Sequence, residues 1–165
     1  MKSIQVVGAL LALGLVGVIV FDLVSPEQGA EQTLVVKVDG DQKLEEGRFN
    51  YSAKISVGVS PRQQGAKGCV VVLGRQGQIL GKPWELVPGI GGWSMEASAS
   101  KLSASHYGPL WLVALEGPGD CRQASDFVKD IEGRDQPTQA VGALVAAHPQ
   151  WRWGAARVYI HDKLP

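Results

Sequence analysis

Three histidines, two cysteines and a scatter of serines and carboxylates are the side chains of this sequence that could do chemistry. A zinc site draws three or four such ligands together, commonly with two of them a few residues apart. His106, His148 and His161 are too widely spaced for that. The one adjacent pair, His161 and Asp162, would point to opposite faces of a strand. No metal ligand set and no cofactor is expected. A serine nucleophile on a strand-to-helix elbow would read G-x-S-x-G, which does not occur; Ser103 and Ser105 merely share a loop with His106. The run GIGGW from Gly89 to Trp93 lacks the lysine and hydroxyl that end a phosphate loop. Glu45 with Glu46, and Asp130 with Glu132, read as solvated faces. No catalytic residue is expected, and neither cysteine carries an activating motif.

Cys69 and Cys121 instead read as one structural disulfide, because an even pair far apart in sequence is most simply a cystine in an oxidising compartment. The alternative is two buried thiols in a cytosolic domain. The remaining candidates are aromatic. Trp84 and Trp93 flank the apolar, glycine-rich stretch WELVPGIGGW, which also holds Leu86, Val87 and Ile90. Trp151 and Trp153 form a second pair. Aromatic residues with apolar neighbours suit interface hot spots and membrane boundaries. Trp84, Val87, Ile90, Trp93, Trp151 and Trp153 are the expected partner-binding residues. The competing reading has the tryptophans capping the open ends of a β-sandwich core.

The location of such a surface depends on the first two dozen residues. Residues 4–20 read IQVVGALLALGLVGVIV, followed by Phe21, Asp22, Leu23 and Val24. A bilayer core of ~30 Å takes ~20 apolar residues as a helix. A secretory signal has a shorter apolar core and a small-x-small cleavage site, and VSPEQGAEQ offers no clean one. An uncleaved signal-anchor over residues 1–24 is therefore expected, with a cleaved signal peptide as the alternative. The partner through residues 4–24 is then the lipid bilayer. Gly8 and Ala12 make one small-xxx-small pair of the kind that lets membrane helices approach. Lys2 before the run favours a cytoplasmic N-terminus and an extracytoplasmic domain, periplasmic or at the cell surface. Residues 25–32 form a short linker, and residues 33–165 supply one domain.

Within that domain the apolar residues mostly repeat with a period of two. Tyr51, Ala53, Ile55 and Val57 alternate with Ser52, Lys54 and Ser56, as on a half-buried antiparallel strand. Residues 69–73 (CVVVL) and 110–115 (LWLVAL) are apolar on both faces and so read as central strands. Asp39-Gly40-Asp41 is expected to turn. Gly74 to Gly77 should turn a hairpin, a further extended piece should run from Pro83 to Val87, and Pro88 to Gly92 should lack regular structure. Ala124, Phe127, Val128 and Ile131 have helical spacing, with Asp120 as cap and Gly133 as stop; a strand over residues 125–131 is the alternative. Pro137 suits the first turn of a second helix. A closing strand, at an edge, follows Trp151 and Trp153. About seven strands spaced by turns suggest a mainly β, antiparallel, immunoglobulin-like sandwich with a helical insertion before the last strand. Trp111 is the candidate for a tryptophan beside the cystine.

Acidic and basic residues balance at 16 each, so nothing marks a nucleic-acid surface. The expected function is a single-pass, non-catalytic structural or accessory subunit of a larger membrane or envelope assembly. A glycan- or peptidoglycan-binding module using stacked tryptophans, or an envelope enzyme built around His106, are the alternatives.

Overall fold

The computed structural model describes residues 31–45, 48–58, 62–100 and 106–162. The expected anchor over residues 4–24, its Gly8–Ala12 pair and the serines beside His106 lie outside the described residues. Among the described residues no helix is long and apolar enough to cross a membrane.

The described residues form eight strands: β1 (Val35–Glu45), β2 (Arg48–Gly58), β3 (Lys67–Leu73), β4 (Trp84–Glu85), β5 (Val87–Gly89), β6 (Gly92–Ser100), β7 (Gly108–Gly117) and β8 (Arg152–Ile160). They make two antiparallel four-stranded sheets. The first has the order β1-β2-β6-β5 and the second β4-β3-β7-β8. Helix α1 (Cys121–Phe127), a 3-10 turn (Lys129–Ile131) and helix α2 (Pro137–Ala146) are inserted between β7 and β8.

The apolar patterns explain the layering. Strand β2 alternates, and only one of its faces is buried: Ala53, Ile55 and Val57 meet Val70, Val72, Leu110, Leu112 and Ala114 of the second sheet. Strands β3 and β7 have no polar face to spare, and both of their faces are covered. Cys69, Val71, Leu73, Val113 and Leu115 point the other way, onto Ala124, Val128, Ile131, Val141 and Val145 of the helical layer. The described residues therefore make three layers, sheet on sheet on helices, with two cores.

The helices begin where their sequences predict. Asp120 accepts from the Gln123 amide, while the Gln123 side chain accepts from the Asp120 amide, a complete capping box. Pro137 opens α2, where its missing N–H is not needed. The strand alternative over residues 125–131 is thereby excluded.

Four expectations are corrected. Asp39-Gly40-Asp41 does not turn. It lies inside β1, in unbroken register with Lys54, Ala53 and Ser52 of β2. The reason is packing: a Cβ on Gly40 would overlap the Tyr51 ring, which lies against the glycine's backbone. Residues 88–92 are not irregular either. Val87, Pro88 and Gly89 pair with Ser94, Trp93 and Gly92, so the stretch is a tight hairpin turned by Ile90 and Gly91, the latter at φ +75°. The extended piece beginning near Pro83 is also divided, with β4 in one sheet and β5 in the other. Trp111 does not sit beside the cystine. It faces the helical side, four residues along β7 from Leu115, the partner of Cys69.

The edges β1 and β8 close one side. The Thr33 and Leu34 amides both donate to the Trp153 carbonyl at 3.0 Å. At the far end, the Gln42 side chain donates to the His161 carbonyl (2.6 Å) and accepts from its amide (2.9 Å).

Candidate functional site

One end of the domain gathers most of the unusual side chains. Across the first sheet, Val35 pairs with Gly58, Gly58 with Gly92, and Gly92 with Gly89. These four residues form a single row at the sheet's end. The chain enters beside that row, because residues 33 and 34 bond to Trp153 at the start of β8. The β5–β6 hairpin tip projects beyond the other end of the same row. Three inter-strand spacings separate the two, about 14 Å.

This end exposes apolar surface. Ile90 is fully exposed, Val87 is 63% exposed and Val35 is 61% exposed. Exposed aliphatic side chains are ordinary singly; here three lie at one end, two of them on a protruding hairpin. Beside them, the Arg62 guanidinium lies over the Trp93 ring at 5.2 Å. Lys67 is 3.9 Å from Glu85 in an exposed ion pair.

Behind that surface the structure is tightly fixed. Glu116 is completely buried and is paired with Arg152. The Arg152 Nε donates to Glu116 Oε2 at 2.7 Å, and the Gln63 amide donates to Glu116 Oε1 at 2.9 Å. One carboxylate thus ties β7 to the start of β8 and to the loop before β3. Glu116 directly follows the apolar run 110–115, and nothing local in the sequence marks it as buried. Its partner is 36 residues away, and the one hint was an arginine held between Trp151 and Trp153.

The expected partner-binding residues divide sharply. Trp93, Trp151 and Trp153 are buried, Trp93 between the sheets and the other two under the helical layer. Trp93 lies on Gly68 and Trp151 on Gly117, where any Cβ would overlap the indole. Trp151 also stacks on Phe127 at 4.9 Å. Trp84 is half-buried against the inter-sheet core. The surface of three of the four tryptophans is therefore already taken up inside the fold, and Val87 and Ile90 alone of the set present their side chains broadly to solvent. The buried Trp93 N–H has no hydrogen-bond partner among the described residues.

Cys69 and Cys121 are joined, with Cα atoms 5.4 Å apart. The bridge fastens the first residue of α1 to β3. The histidines do not converge as a set. His148 lies just past α2, with Nδ1 2.8 Å from the Leu144 carbonyl and its ring edge-on to Phe127. His161 follows β8 and packs on Tyr159. His106 precedes β7 at that same end, where Gly108 pairs with Ile160. Among the described residues no group of three or more histidine, cysteine or acidic side chains could hold a metal ion.

Among the described residues, two groups are shifted from their ordinary values. Burial raises the Tyr51 phenol. A hydrogen bond from Lys129 lowers the exposed Asp126 carboxyl.

Comparison with known protein families, curated proteins and solved structures finds no match to this chain.

Proposed function

We propose that the chain is a membrane-anchored, extracytoplasmic protein acting as a non-catalytic structural or accessory subunit of a larger membrane or envelope assembly. The observation that carries this reading is the shared end. Val35, Val87 and Ile90 are exposed on the same end of the domain through which the chain arrives from the apolar run of residues 4–24. Residues 24 and 32 can be separated by at most about 28 Å, so an anchored chain holds this end toward the bilayer. The cystine supports an oxidising compartment and hence an outward-facing domain. Burial of Trp93, Trp151 and Trp153 favours a subunit over a glycan-binding platform, which needs exposed rings.

The domain itself is read as immunoglobulin-like. Its orders β1-β2-β6-β5 and β4-β3-β7-β8 match a sandwich whose strands A, B, E and D face C′, C, F and G. It departs from that pattern in its cystine, which joins β3 to a helix rather than one sheet to the other.

The test is extraction of the full chain from its native membrane in mild detergent, followed by size analysis and mass spectrometry. A complex of fixed stoichiometry is expected. A chain that runs alone would overturn the subunit reading. A chain released by alkaline washing without detergent would overturn the anchor.

A further inference from the structure

We propose that the β5–β6 hairpin tip is a lipid contact: Ile90 and Val87 sit among the headgroups of the bilayer that holds residues 4–24, giving the domain a second point of attachment. This rests on the anchored reading above. Three observations lead to it. The tip is the most exposed apolar point among the described residues, with Ile90 fully exposed on a two-residue turn. The tip and the incoming chain occupy opposite ends of one row of paired residues, so they face the same way. The row is only about 14 Å long, so an end held against the bilayer at the incoming chain also brings the tip to it. A domain standing on this end meets the membrane at two places rather than one.

The chemistry at the tip suits lipid better than a charged partner. Glycine and proline surround Ile90, and no ionisable side chain occurs between Val87 and Gly92. The two nearby cations are engaged: Lys67 has Glu85 beside it, and Arg62 lies over the Trp93 ring. The contact should therefore be apolar and depend little on anionic lipid. It is also firmly aimed. Strand β6 continues from the tip directly into Trp93, which is buried and covered by Arg62.

The experiment uses the full chain with Ile90→Cys, cystine intact, labelled with an environment-sensitive fluorophore. It is reconstituted in phosphatidylcholine vesicles, with and without phosphatidylglycerol. Lys43→Cys, exposed toward the opposite end of β1, is the comparison. Ile90 packs against no core residue, so the variant should fold, as circular dichroism will verify. Blue-shifted emission at position 90, quenched by doxyl-labelled lipid in both vesicle types and absent at position 43, is the expected result. Three results would overturn it. Water-like emission at position 90 on a chain that floats with vesicles removes the tip contact and leaves the anchor. Blue-shifted emission that doxyl lipid does not quench means that protein, not lipid, covers the tip. A chain that fails to float removes the anchor and the tip contact together.

Discussion

Glu116 is the residue on which most depends locally. A fully buried carboxylate is tolerated because Arg152 and the Gln63 amide satisfy both of its oxygens. Removing one partner leaves the other charged and poorly solvated. Glu116→Ala should lower stability by about 3 kcal/mol, read as a drop in the urea midpoint at unchanged slope. Tyr51 sets an alkaline limit. Burial raises its folded-state pKa above the ordinary value of 10.0, so above that pH the unfolded chain loses the phenolic proton first. Stability should be intact below about pH 10 and should fall as pH rises through the raised value. Tyr51→Phe should flatten part of that decline in a series of urea titrations.

At the scale of elements, the helical layer depends on its staple. Helix α1 is seven residues long, too short to persist alone, and the cystine fixes its first residue to β3. Closing a loop with a sequence separation of 52 stabilises by about 4 kcal/mol in the chain-entropy description. The pair Cys69→Ala with Cys121→Ala should lose about that much, and amides of α1 should exchange with deuterium faster than those of β2. The legibility of these elements followed the strength of local signals. Strands β2, β3 and β7, both helices, the Asp120 cap and the cystine could be read because period, capping chemistry and cysteine count are local. The turn wrongly expected at Gly40 and the hairpin missed at Ile90 have the opposite cause. Glycine looks like a break in isolation, and only the Tyr51 ring or the partner strand β6 reveals that it is a place of close approach. The tryptophans were ambiguous for a related reason: an indole suits a core and a surface equally, and the seats at Gly68 and Gly117 are formed by distant chain.

For the whole molecule, the two cores and the closed edge make a single unit in which the stretch before β1 has a structural part. Leu34 is 2% exposed, and residues 33 and 34 both bond to Trp153. A chain beginning at Glu31 should keep the stability of the folded domain. One beginning at Lys37 should lose about 3 kcal/mol, from the lost burial of Leu34 and two lost hydrogen bonds. Comparing the thermal midpoints of the two would check this. The balanced charge and the uncharged tip agree with a domain positioned by apolar contact, not by a broad electrostatic field.

The seam between β1 and β8 also bears on force. Leu34 lies level with Trp153, and Gln42 with His161, so the two edge strands run side by side in the same direction. A pull between Glu31 and Asp162 drags them past each other lengthwise. Their contacts, and the eleven-residue ladder of β1 on β2, are then loaded together in shear instead of being peeled apart one rung at a time. A domain tethered from its N-terminal side would accordingly unfold slowly under tension, and the Gln42 clasp would be among the first bonds to carry the load.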